Sequence, residues 1–210
     1  MYGLNHEESD EDVLGCFIEP PKNAFGLSKL DNFKNPSSDE SYKSFREYIK
    51  HLVNGSSFWV ETLFAPEECV ITSSLSFNEV LNHKEYFLTK ALIKKSLGFM
   101  KGMHTAGLTV DDAKVRKNIS HSVRVGYMIN RWLDTGEFLV RMPEHIDEIM
   151  RIKLGESCLQ KSIESSMALY DKIDAKFQTC SVPEVIDLSL ANELIAKTIF
   201  DEWKLREEIL

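Results

Sequence analysis

No apolar run in these 210 residues approaches the roughly 20 needed to span a bilayer, so the sequence predicts no membrane partner. Residues 1–20 are acidic and resemble neither a signal nor a transit peptide, and a cytoplasmic location is expected. Cysteine is sparse: Cys16, Cys69, Cys158 and Cys180 are scattered with no CxxC spacing. That excludes a zinc finger or dense disulfide framework and predicts reduced thiols, with Cys16 and Cys69 buried beside strands. There is no internal repeat and no low-complexity tract. An excess of positive charge is also missing. The net charge of -8 argues against general adhesion to nucleic acid or anionic lipid, though not against a local basic patch.

What is present is 43% hydrophobic and 28% charged residues, a soluble globular balance long enough to bury a substantial core. The most informative stretch is residues 2–17, YGLNHEESDEDVLGCF. It sets Ser9, Asp10 and Asp12 at the mouth of a short apolar run from Val13 to Ile18. Side chains two apart on an extended strand share a face, so Asp10 and Asp12 converge. Such a pair, with a third acid from a neighbouring strand, suits a hard divalent cation such as Mg2+, which completes its shell with water and substrate phosphates. The plainer alternative is an acidic, solvent-facing loop.

Further along, residues 22–41 read as a loop with a short strand around residues 25–27. A helix follows, capped by Ser41, with Tyr42, Phe45, Tyr48, Ile49, Leu52 and Val53 on one face and Asn54 and Gly55 as its stop. Residues 58–64 are aromatic and β-branched and predict a buried strand. Glu61 sits in its middle, where an ionised carboxylate needs either a metal or a salt-bridging lysine or arginine. Asp39 and Glu40 are further candidates for a third acid, beside a helix start where capping also suits them. A short edge strand is expected at residues 69–71. Beyond residue 80 the pattern turns to long helices, over 85–103, 110–133 (capped by Asp111 or Thr109), from Pro143 to Gly155, 157–177, and after Ser189. Lys117, His121 and Arg124 are spaced to share a face and could steer phosphates; they also suit an ordinary helix surface or a domain interface.

The string YGL, then SDED, then a hydrophobic run closed by Gly15 resembles the signature of the DNA polymerase beta type nucleotidyltransferase superfamily, and within it the predicted nucleotidyltransferases associated with RNA ligases. WVETLFAPEECVI at residues 59–71, KNISHSVR at 117–124, LDTGEFLVRMPE and IKLGE follow in the order that family shows, so the resemblance covers residues 2 to about 177. It implies an α+β fold: a small mixed sheet of the polymerase beta type packed with helices, then an all-helical C-terminal half. The expected division is a nucleotidyltransferase-like core at 1–80, N-terminally incomplete, and a helical domain at 81–210.

The implied activity is transfer of a nucleoside monophosphate from a nucleoside triphosphate to an unidentified acceptor hydroxyl, with RNA, protein or a small molecule as the candidate acceptors, using two Mg2+ ions. Asp10, Asp12 and Glu61 are the expected catalytic and metal-binding acids; Ser9, Lys117, His121 and Arg124 are the expected substrate contacts. The family's Gly-Ser pair, a phosphate grip ahead of the YGL, has no counterpart here, because Met1 directly precedes Tyr2. The alternative expectation is therefore an inactive binding module of the same fold for a nucleotide, an RNA end or a partner protein.

Overall fold

A computed structural model describes residues 1–4, 12–27, 29–34, 39–107 and 112–207. It is a mixed α and β protein in which a small three-stranded sheet is packed with helices. Strand β1 (Val13–Phe17) is followed by a short helix α1 (Pro21–Ala24), strand β2 (Asn32–Lys34) and strand β3 (Glu40–Ser44). The order is β1-β3-β2; β1 runs parallel to β3, with Val13 opposite Glu40 and Phe17 opposite Ser44, and β2 runs antiparallel to it.

Chain polarity changes at Ser44, not at Ser41. Ser44 accepts a hydrogen bond from Glu47 N and caps α2 (Phe45–Val53), while its own N–H donates to Asp31 O. Residues 41–43, expected as the first turn of that helix, are instead the central strand. The expected strand at 25–27 is a bend after α1, and the actual second strand lies a few residues later. Helix α2 buries Phe45, Tyr48, Ile49 and Leu52, and Gly55 then turns the chain at a φ of 66°.

The largest departure is at residues 58–64. They form helix α3 (Ser57–Val60) continuing into a 3-10 turn, Glu61–Phe64, and not a strand. Trp59, Val60 and Glu61 are buried in succession, a pattern that period-two alternation forbids and a tight helix permits. Trp59 packs edge-on against Tyr48 of α2 at 5.8 Å, and tertiary packing of this kind overrides the β preference of aromatic residues. Likewise the edge strand expected at 69–71 is absent, replaced by a 3-10 turn, Glu67–Cys69. Cys16 and Cys69 are half-buried, less enclosed than expected.

Helices make up the remainder: α4 (Asn78–Asn82), α5 (Lys90–Gly107), α6 (Ala113–Thr135), α7 (Ile146–Lys153), α8 (Leu159–Phe177) and α9 (Leu188–Glu207). Asp112 caps α6 through Val115 N at 2.7 Å, while the caps expected there, Thr109 and Asp111, lie outside the described residues. Helix α6 is the hub. It packs against α5, α7 and α8 and buries Ile119, Val123, Met128 and Ile129 completely. Gly126 allows the close approach, since a Cβ there would lie 2.9 Å from Met100 and 3.1 Å from Leu169. At the same interface Ser166 Oγ lies 2.7 Å from Ser122 Oγ and 2.8 Å from His104 Nε2, pairing three polar groups among α5, α6 and α8. One hydrophobic cluster continues from Leu4 through α2 and α6 to Leu194, and α9 covers α2 and α4.

Gly55 is the tightest joint between the early residues and α5. A Cβ there would sit 2.4 Å from the backbone nitrogen of Leu92, on a residue already at positive φ. Gly55→Ala is therefore expected to lower unfolding free energy by about 3 kcal/mol, combining left-handed strain with overpacking, read as a reduced urea midpoint at unchanged m-value.

Candidate functional site

Glu61 is wholly inaccessible and Arg124, on α6, nearly so. Their side chains meet as a fork: Arg124 NH1 donates to Glu61 Oε2 at 2.9 Å and NH2 approaches Oε1 at 3.5 Å. Ser57 Oγ adds a hydrogen bond to Oε1 at 2.8 Å, one turn back along the same helix. The Tyr2 ring lies over the guanidinium, 3.8 Å from it, with its hydroxyl in hydrogen-bonding reach of Glu61. Burial, then the Glu61 charge, pushes the Tyr2 phenol far above its ordinary range. Burial opposes the charge on Arg124, but Glu61 and Tyr2 outweigh it and hold the guanidinium protonated. Residues 1–4 are fastened from outside by Arg141 Nε on Met1 O at 3.3 Å and by Lys153 Nζ on Leu4 O at 3.0 Å.

This ion pair forms part of the wall of a cavity of about 400 Å³. Ser56, Ser57, Phe58 and Glu61 close one side, Lys95, Ser96 and Phe99 of α5 a second, and Asn118, His121, Arg124 and Val125 of α6 the third. Two polar groups on this wall find no hydrogen-bond partner although buried: Ser96 Oγ and Arg124 Nε. His121 is pushed down to about 4, first by burial and then by Arg124 and Lys117, with Lys153 adding to them against Glu61. It is a neutral imidazole at pH 7. Burial, then Lys117, likewise holds Lys153 below its ordinary range. In a chain of net charge -8, this corner gathers Lys95, Lys117, His121, Arg124 and Lys153, and Glu61 balances one of those charges.

Of the residues singled out in the sequence, Glu61, His121 and Arg124 line one cavity, and Lys117 lies close enough to act on His121 but stands exposed at the flank. Ser9 and Asp10 lie outside the described residues. Asp12 immediately precedes β1 and acts electrostatically on Tyr2, as Glu61 does. The setting of Glu61 differs from expectation: it is on a 3-10 turn, and its carboxylate is taken up by Arg124 and Ser57, the salt-bridge alternative. Among the described residues no three His, Cys, Asp or Glu side chains gather closely enough to hold a metal ion. The register of the sheet brings a different acid beside Asp12. Val13 N donates to Asp39 O at 3.1 Å, so one step before the Val13–Glu40 pair Asp12 and Asp39 stand opposite each other at one end of the sheet.

Sequence reasoning missed Tyr2, Lys95, Ser96, Phe99 and Asn118. The four-residue step from Lys95 to Phe99 puts both on one face of α5, and that signal was available. The pairing of Glu61 with Arg124 across 63 residues was not, because no local spacing encodes it.

Breaking this pair on one side strands a buried charge. Arg124→Gln alone is expected to cost about 3–5 kcal/mol, and Arg124→Gln with Glu61→Gln distinctly less than the sum of the two single changes, measured as a double-mutant cycle in urea. The depressed His121 carries a second expectation. Neutral in the folded chain and with an unfolded value near 6.5, it contributes stability that is complete above about pH 6.5 and is lost as pH falls toward 4, by at most about 3 kcal/mol. His121→Gln should flatten the stability profile across that window and leave it unchanged at pH 8. The chain matches no family model, no curated protein and no solved structure.

Proposed function

We propose that this protein is a nucleotidyltransferase of the polymerase beta type, which moves a nucleoside monophosphate from a nucleoside triphosphate to an acceptor hydroxyl on RNA or protein. The observation that carries this reading is a cavity lined by Lys95, neutral His121 and the Glu61–Arg124 pair and flanked by Lys117, so that its unbalanced charge is positive in an otherwise acidic chain. A triphosphate is the ligand such a corner attracts, and Lys95 and Lys117, both exposed, can meet its phosphate oxygens as charge-assisted donors, with the buried Glu61–Arg124 pair behind them. The resemblance at residues 2–17 is its second support.

The division of labour among the acids differs from the simplest expectation. Glu61 is a positioning residue here: it fixes the guanidinium plane and keeps it charged, while its oxygens are engaged by protein donors. The acids that suit a hard cation are Asp12 and Asp39, brought to one end of the sheet by the parallel register, with Asp10 as their partner in the DxD. Mg2+ held by those carboxylates would neutralise the phosphate oxygens and the departing pyrophosphate. Lys117 and Lys95 draw the polyphosphate tail inward by charge. His121, neutral before binding, gains affinity for a proton beside an anion, so triphosphate binding should tighten as pH falls toward 4.

A second reading, an inactive nucleotide-binding module, is favoured by the engagement of Glu61 with Arg124. The two separate on label transfer. Incubation with each labelled nucleoside triphosphate, Mg2+ and total cellular RNA or protein is expected to move label onto one of those acceptors. Asp12→Asn should reduce transfer at least about a hundredfold, a loss of about 3 kcal/mol or more in the transition state, with the urea midpoint unchanged. Triphosphate binding without any transfer selects the inactive module, and transfer undiminished in Asp12→Asn removes the metal assignment.

A further inference from the structure

The cavity beside Arg124 has more on its walls than a phosphate site requires. Phe58 and Phe99 line it from two different helices, and they keep 50% and 39% of their surface exposed. Large aromatic side chains left open on the walls of a concave, cationic cavity need a reason, because α3 and α5 have a well-filled core beside them in which Trp59 and Met100 are buried. Phe58 touches Trp59 edge-on at 5.7 Å, which holds it in place while leaving its exposed portion toward solvent. The same walls carry Asn118, whose amide offers both donor and acceptor, and Ser96, a residue 1% exposed whose hydroxyl is unpartnered. An unsatisfied buried hydroxyl on the wall of an open cavity marks a place where a ligand atom completes the hydrogen bonding.

We infer that this cavity is a nucleobase subsite: the base of a nucleotide stacks on Phe99 and Phe58, Asn118 meets its edge, and Ser96 Oγ hydrogen-bonds the sugar, with the phosphates directed toward Lys95 and Lys117. The inference rests on the proposed function for its phosphate end and adds the class of group held at the other. Aromatic side chains hold bases through their π faces with little dependence on sequence, while an amide can favour a particular base edge. A volume of about 400 Å³ lies within the ordinary range for a small-molecule pocket, roughly 300–1,000 Å³, so the site takes one nucleotide and not a duplex.

The test compares ATP with inorganic tripolyphosphate, both with Mg2+, on the full chain by titration calorimetry. ATP is expected to bind at least about tenfold more tightly than tripolyphosphate. Phe99→Ala should remove about tenfold of the ATP affinity and leave tripolyphosphate unaffected, Phe99→Tyr should retain it, and Ser96→Ala should weaken ATP while sparing tripolyphosphate. Phe99 stands open to solvent on α5, so its replacement leaves the core intact, and circular dichroism with urea unfolding confirms that each variant is folded. Equal affinity for the two ligands, or ATP affinity unchanged in Phe99→Ala, overturns the base subsite while the phosphate reading stands. Absence of binding by both ligands overturns the two together.

Discussion

A guanidinium held between a carboxylate and a phenol ring, out of reach of water, is the constraint on which the rest of this structure depends. Arg124 is charged in a place where charge is costly, and only the Glu61 fork and the Tyr2 ring make that tolerable. The pair joins α6, the most enclosed helix, to the 3-10 turn after α3, and Tyr2 ties the first residues of the chain to both. Helix identity at residues 57–64 follows from this arrangement. A strand there would alternate Glu61 with its neighbours, whereas the helical turn lets Trp59 and Val60 fill the core beside α2 as Glu61 turns toward α6.

The same constraint shapes the electrostatics of the cavity. Because Glu61 is used up by Arg124 and Ser57, the lysines around His121 are not neutralised by it, and the corner stays cationic in an acidic protein. His121 is neutral for the same reason: burial and three neighbouring cations act on it together against one carboxylate that is already engaged. Stability and the electrostatics of the cavity therefore share a set of residues.

What could be read from the sequence was whatever is local. The apolar stripe of α2, the stop at Asn54 and Gly55 and the long helices beyond residue 80 follow from spacings of a few residues, and the structure contains them, although 3-10 turns at Lys84–Phe87 and Pro143–His145 stand where the expected helices over 85–103 and from Pro143 begin. Strand β1 was legible from its run of apolar residues after the acids. The misreadings share one cause. Residues 41–43 and 58–64 are short, and whether a short aromatic segment becomes strand or helix is decided by partners distant in sequence, here β1 for the first and α2 with α6 for the second. The site was legible to the same degree. His121 and Arg124 share a helix face and were found together; Asp39 came beside Asp12 only through a parallel pairing that no turn signal announces.

A long-range contact fastens α9 to the segment after β1. Trp203 of α9 donates its indole N–H to Glu19 O at 3.0 Å across 184 residues, and its ring packs on Phe25 at 5.4 Å. During synthesis the faces of α2 and α4 that α9 covers stay open until α9 has left the ribosome. Such late closure makes for slow maturation, and it leaves the apolar side of α2 open to misassociation in the nascent polypeptide.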